Sequence, residues 1–131
     1  YPSVNGYRSG NELSNVNEKL ISAFNYYDEA NYKKAETYFK AVLEKDPSNS
    51  MTQFYLATCF MENDKLLEAE IYLKDLIFKQ DHLFWEQSQW YLALIYADLG
   101  KSENAKSILK SIIQEKMTYA SEAKKILKSL N

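Results

Sequence analysis

The stretch that decides the fold is Asn31–Lys45, NYKKAETYFKAVLEK, whose apolar positions are Tyr32, Ala35, Phe39, Val42 and Leu43. Their spacing draws one stripe down one face of a helix. Thirty-four residues later stand Leu66, Ala69, Leu73, Leu76 and Ile77, all apolar, with the small Ala falling on a small Ala. Thirty-six residues beyond those stand Ser102, Ala105, Leu109, Ile112 and Ile113, and only Ser102 leaves the pattern. The preceding segments keep the same register: Leu20, Ala23, Phe24, Tyr26 and Tyr27, then Phe54, Ala57, Thr58, Phe60 and Met61, then Trp90, Ala93, Leu94, Tyr96 and Ala97. Each unit of sequence therefore reads as helix, tight turn, helix. The turns fall at Glu29–Tyr32, Asn63–Leu66 and Leu99–Ser102, and Gly100 suits a left-handed helix end.

Punctuation agrees with the period. Proline disfavours helical geometry in the residue before it, so Asp46-Pro47 closes a helix. Ser50 with Gln53 reads as a capping box opening the next one. Two extra residues around His82–Trp85 separate the second and third repeats, and they predict longer helices or a bulged connector there. Thr118–Leu130 carries Tyr119, Ala123, Ile126, Leu127 and Leu130 on one face, with Ser121, Lys124, Lys125 and Lys128 opposite. That is the pattern of a capping helix that closes the open end of a stack. A basic helix lying on an anionic membrane is the minority reading, because the apolar face is already needed for closure. Tyr1 to Glu12 has no helical period and reads as a linker or arm.

Self-similarity of about 34 residues in paired helices is characteristic of the tetratricopeptide repeat. The first repeat resembles it through Ala23, Tyr26, Ala35, Phe39 and Pro47. The second does so through Leu56, Ala57, Phe60, Ala69 and Leu73, with Asp81 at the proline's place. The third does so through Leu92, Ala93, Tyr96, Gly100, Ala105 and Leu109, with Met117 at that place. The resemblance implies an all-α, right-handed α-solenoid of three helix-turn-helix repeats plus a C-terminal capping helix. The expected boundaries are an arm over 1–14 and one domain over 15–131, with repeats near 15–49, 50–84 and 85–117 and the cap over 118–130.

Composition narrows the function classes. Three Gly and two Pro disfavour a turn-rich β fold, and 46% hydrophobic residues suffice for a core. A net charge of −2 leaves no basic footprint for nucleic acid. Residues 101–131 hold seven Lys and three Glu, a local +4 that leaves −6 for the first hundred residues, and it reads as a solvated face. There is no phosphate-binding Gly loop, no paired-histidine motif and no metal-spaced cysteine pair, so neither a cofactor nor an enzymatic activity is expected. Cys59 has no second cysteine to pair with and reads as a small apolar residue, and His82 as a connector residue.

What remains is surface. In tetratricopeptide arrays the first helices of successive repeats line a concave groove that takes a peptide or a helix. The resemblance places Leu20, Phe24, Tyr27 and Asp28 there from the first repeat. Phe54, Thr58, Met61 and Glu62 follow from the second, and Trp90, Leu94 and Asp98 from the third. The implied function is a scaffold or adaptor for a protein or peptide partner. Lys and Arg are absent from these positions, unlike the groove that grips a terminal carboxylate. Self-association is a second reading, and an accessory domain of a longer enzyme or membrane protein a third. The run Gln89-Trp90-Tyr91-Leu92-Ala93, then Asp98-Leu99-Gly100 and a Lys-rich last helix, is similar to the ends of short tetratricopeptide proteins common in Bacteroidetes. That similarity implies a bacterial cell-envelope location and a membrane anchor ahead of Tyr1.

Overall fold

The computed structural model describes residues 10–80 and 83–130. Among them are seven α-helices: α1 (Gly10–Asp28), α2 (Tyr32–Lys45), α3 (Ser50–Glu62), α4 (Leu66–Lys79), α5 (Trp85–Asp98), α6 (Ser102–Gln114) and α7 (Ala120–Leu130). In chain order they follow a helix-turn-helix repeat with a final helix, an all-α tetratricopeptide-like arrangement. The chain divides into two compact units at Lys65/Leu66, so α3 and α4 of the second repeat fall in different units. In the first unit α1 packs on α2 and α2 on α3; in the second, α4 packs on α5, α5 on α6 and α6 on α7.

The period becomes burial. In α2, α4 and α6 the three inner stripe positions are fully buried: Ala35, Phe39 and Val42; Ala69, Leu73 and Leu76; Ala105, Leu109 and Ile112. The outer stripe positions, Tyr32 and Leu43, Leu66 and Ile77, Ser102 and Ile113, are half-buried. Ala23, Ala57 and Ala93 are also fully buried. An alanine there lets the neighbouring backbone approach, where a longer side chain would hold it away.

Each first helix ends in the same reversal. Ala30, Asp64 and Gly100 stand at corresponding positions with φ of 60°, 61° and 76°. Around them the next N–H reaches back five residues: Asn31 to the Tyr26 carbonyl at 2.8 Å, Lys65 to Phe60 at 2.7 Å and Lys101 to Tyr96 at 2.8 Å. The left-handed residue itself donates to Tyr27, Met61 and Ala97 at 2.9, 3.2 and 3.2 Å. This is the Schellman arrangement, which satisfies helix-end carbonyls while turning the chain. Only the third repeat has the glycine such a residue favours.

The second helices end in two ways, for a sequence reason. Asp46 precedes Pro47 and is pushed to φ −139°. The corresponding Gln80 and Lys116, with no proline after them, are left-handed at 54° and 55°. Lys116 and Met117 then donate to Ile113 and Ile112, both at 3.1 Å, repeating the Schellman pattern before α7.

Two expectations are corrected and a third is made specific. Helix α1 begins at Gly10, inside the expected arm, because Leu13, Val16, Leu20 and Ala23 continue the helical stripe backwards and Val16 is buried. Residues 1–9 lie outside the described residues. The cap of α3 is Asn49, not Ser50: Asn49 Oδ1 accepts from the Thr52 N–H at 3.0 Å. Gln53 instead donates to the Pro47 carbonyl at 3.1 Å. The two extra residues between repeats are shared. One lengthens α5 to 14 residues against 13 for α3, and one lengthens the connector, 80–84 against 46–49. Asp81 and His82 lie outside the described residues.

In the second unit Ala93, Leu109, Ile112, Met117 and Ala123 form one core cluster, packed round by Trp85, Trp90, Tyr119, Ile126, Leu127 and Leu130. Thr118 donates to Glu86 at 2.7 Å and ties the entry of α7 to the start of α5. The apolar face of α7 thus closes the α5–α6 pair, as its sequence pattern requires.

The left-handed alanine generates a stability prediction. Ala30 is exposed, so replacing it by glycine removes only backbone strain. Ala30→Gly is expected to stabilise by about 1 kcal/mol and Gly100→Ala to destabilise by about as much. Thermal melts monitored by circular dichroism should show shifts of about 4 °C in opposite directions.

Candidate interaction surfaces

The expected groove residues divide between the two units. In the first, Leu20, Phe24 and Tyr27 of α1 and Met61 of α3 are half-buried, while Asp28 and Glu62 are exposed. Phe54 and Thr58 are only 4% and 8% exposed. Those two are corrected from groove wall to interior, because α3 is apolar on nearly every side and has little solvent face.

The aromatic residues of this unit form an edge-to-face network. Phe24 meets Phe39 at 5.1 Å and Tyr55 at 5.0 Å, with interplanar angles of 83° and 77°. Tyr27 meets Tyr55 at 5.3 Å and 87°, and Tyr32 at 5.5 Å and 84°. Such pairs contribute about 0.5–1.5 kcal/mol each beyond area burial. The Thr58 hydroxyl bonds the Tyr55 carbonyl at 2.7 Å and lies 3.2 Å from the Tyr27 hydroxyl, fixing the ring's outer end. Tyr55, where these rings converge, escaped the sequence reading. Its signal was available: it lies one turn before Thr58 and Cys59 and beside Phe54.

In the second unit Trp90 and Leu94 are half-buried and Asp98 is exposed. The Trp90 ring stacks on Tyr119 at 5.0 Å with an interplanar angle of 1°. One face of Trp90 is therefore taken by the segment leading into α7, a second correction to its role as a free groove wall.

The acids have a pattern of their own. Asp28, Glu62 and Asp98 occupy corresponding positions and are the last residues of α1, α3 and α5. None of these three helices, nor α6, has a basic residue in its last turn, whereas α2, α4 and α7 carry Lys45, Lys79 and Lys128 there. A carboxylate at a helix C-terminus opposes the macrodipole, at about 0.3–1 kcal/mol each.

Away from these faces, a polar clamp joins successive repeats within each unit. Glu36 of α2 is 6% exposed. It accepts from Lys40 at 2.9 Å, Asn63 at 2.9 Å and Lys65 at 2.8 Å. Lys40 and Lys65 also sit over the Phe60 ring, at 5.3 and 5.9 Å from its centroid. In the second unit Glu70, 34 positions on, accepts from the Tyr96 hydroxyl at 2.8 Å and pairs with Lys74 at 3.2 Å. Lys101 lies over the Tyr96 ring at 5.7 Å. Burial alone pushes the Glu36 carboxyl up, but the Lys40, Lys65 and Asn63 hydrogen bonds outweigh it and hold it near 2. The same contest, with Tyr96 and Lys74 as donors, lowers Glu70.

Cys59 is fully buried, and burial, then the nearby Glu36 and Glu62 charges, push its thiol up to about 12. A thiol so held is not a nucleophile at neutral pH. Among the described residues no three His, Cys, Asp or Glu side chains converge as metal ligands. No described helix is long and apolar enough to cross a membrane.

Residues 87–115, spanning most of α5 and all of α6, match the family model described as Tetratricopeptide repeat. The match supports the tetratricopeptide relationship drawn from all three repeats. No curated protein matches the chain. Tetratricopeptide repeats generally mediate protein–protein interaction and are generally non-enzymatic.

The clamp generates a pH prediction. Glu36 is depressed in the folded state, so its contribution is full above its ordinary value of 4.5 and is lost as pH falls towards 2. The contribution is on the order of 2 kcal/mol, discounted because its lysine partners are half exposed. Glu36→Gln should be less stable than the parent at pH 7. The difference should shrink between about pH 4.5 and pH 2 in paired urea titrations.

Proposed function

We propose that this chain is a non-catalytic interaction module that holds a peptide or helix bearing basic residues. Each unit supplies a contact face of its own: Leu20, Tyr27 and Met61 with Asp28 and Glu62 in the first, Leu94 with Asp98 in the second. The single observation that carries the reading is the exposed carboxylate ending α1, α3 and α5 beside half-exposed apolar side chains. Each carboxylate works against its own helix dipole, so folding does not explain its recurrence. Aromatic, aliphatic and methionine surface gives a partner its anchor, and the acids select its charge.

This reading keeps the scaffold or adaptor role implied by the repeat and adds a partner chemistry to it. The envelope location and preceding anchor belong to the same proposal and are supported only by the resemblance of about the last 45 residues.

The test is a peptide array of helix-forming and extended sequences, Lys/Arg-rich or Asp/Glu-rich, probed with the chain and with Asp28→Lys/Glu62→Lys/Asp98→Lys. The parent should prefer basic peptides, with affinity falling as salt rises. The triple variant should lose that preference at least about tenfold while melting at the same or a higher temperature, since its helix ends are now complementary. Equal binding by both proteins would refute the assigned surface.

A further inference from the structure

The last helix carries a charge pattern that closing its unit does not require. Its apolar face, Ile126, Leu127 and Leu130 around the buried Ala123, packs on the core of the second unit. The opposite face holds Ser121, Lys124, Lys125 and Lys128, all exposed, at spacings of three, four and seven that put them on one side. A solvated cap needs polarity but not a single sign. Lys128 suits the helix C-terminus, yet Lys124 stands four residues before it, and like charges at that spacing oppose a helix. Glu122, three residues before Lys125, forms no ion pair with it, and none of the three lysines has an ion pair among the described residues. The other lysine-rich helix differs: in α2, Lys40 is bonded to Glu36 and Lys34 lies over the Tyr26 ring.

We infer that α7 of one copy of this chain docks on the acidic ends of α1 and α3 of a second copy, Lys124 and Lys128 meeting Asp28 and Glu62. The inference rests on the reading of those two carboxylates as a contact face and names the basic helix they take. The first unit holds the complement. Asp28 and Glu62 are exposed and form no ion pair among the described residues. The two turns that follow them are tied together, Asn63 Nδ2 donating to the Tyr32 carbonyl at 3.2 Å. Asp28, Glu29, Glu62 and Asp64, all exposed, gather there. Against them stand Lys33, Lys34 and Lys65, of which Lys34 lies over Tyr26 and Lys65 is already bonded to Glu36. Acid therefore prevails at this end of the unit, and an unpaired row of lysines is its match.

Spacing and reach agree with this. Phe24 and Tyr27 of α1 meet Tyr55 of α3 at 5.0 and 5.3 Å, so the two helices lie side by side at about 8–10 Å. Lys124 and Lys128 stand one turn, about 6 Å, apart, and their flexible stems span the difference. The same stems cover the half-buried Tyr27 and Met61. The acidic and basic surfaces are different and every copy carries both, so the contact is heterologous and continues head to tail into a ring or a filament. Residues 101–131 carry +4 and the first hundred −6, a bipolar charge that steers this orientation at low salt. One short helix on two helix ends is a contact of the small, transient class, so association depends on concentration.

The experiment is sedimentation velocity from about 10 μM to about 1 mM, at about 20 mM and about 500 mM salt. At low salt the mean mass should rise from 15.3 kDa with concentration, without a plateau at twice that value, and at high salt it should fall back. Lys124→Gln/Lys125→Gln/Lys128→Gln removes one half of the contact and Asp28→Asn/Glu62→Gln the other. Each variant alone should associate at least about tenfold more weakly. Their equimolar mixture should form a one-to-one pair and stop there, because only one intact half remains on each. All five sites are exposed, and circular dichroism should report unaltered helicity. A parent that stays monomeric at low salt, association that survives in the α7 variant, or a mixture no heavier than its components would each overturn the inference. If the α7 variant still prefers basic peptides on the array, the adaptor reading outlives that failure; if the parent shows no such preference, both fall.

Discussion

The structure depends first on a three-residue reversal. A helix that ends at Asp28, Glu62 or Asp98 must release the next one at Tyr32, Leu66 or Ser102, which leaves no room for a wandering loop. A single left-handed residue accomplishes this, because it turns the chain while its neighbours' N–H groups satisfy carbonyls the helix would otherwise strand. The fold accepts Ala30 and Asp64 there despite their side chains. The register that this turn sets lets Ala23 and Ala35, or Ala93 and Ala105, be buried completely in their helix pairs.

On that frame the repeats are joined by a polar device as well as by apolar packing. Glu36 and Glu70 sit at the same place on successive second helices, and each accepts from a lysine one turn on and from a group of the following repeat. A buried carboxylate costs several kcal/mol unless its lone pairs are filled. At Glu36 they are filled by Lys40 and Lys65, whose cations also lie over Phe60; at Glu70 they are filled by Tyr96 and Lys74, while Lys101 lies over the Tyr96 ring. In the third repeat the corresponding residue is Lys106, and the next element is α7, which closes the unit with an apolar face instead.

The surfaces left over are not alike. The first helices end in carboxylates against their dipoles beside half-exposed apolar groups, while the second helices present a polar outer side except on α4. Repetition makes such departures readable. When three copies of one motif share a backbone, a residue that breaks the pattern in a solvated position reports a demand other than folding.

The helices and turns, and most of the core, were legible without coordinates. The 34- and 36-residue spacings placed the three turns within the residues where they occur, and the inner stripe positions of α2, α4 and α6 are the fully buried ones. That legibility has a physical origin: in a repeat, each helix buries its own stripe against near neighbours, so periodicity and burial are nearly the same information. The sites were less legible. Nothing in the order of residues said that Thr58 and Phe54 would be interior, that Trp90 would be covered by Tyr119, or that Tyr55 would gather four other rings. Those outcomes depend on which neighbour reaches each side chain in space. A stripe repeats along one helix and can be counted, whereas the cover over a given ring comes from another element at a distance no local pattern encodes. Sequence alone thus determined the helices, their turns and the buried stripe; tertiary structure decided which aromatic groups remain available to a partner.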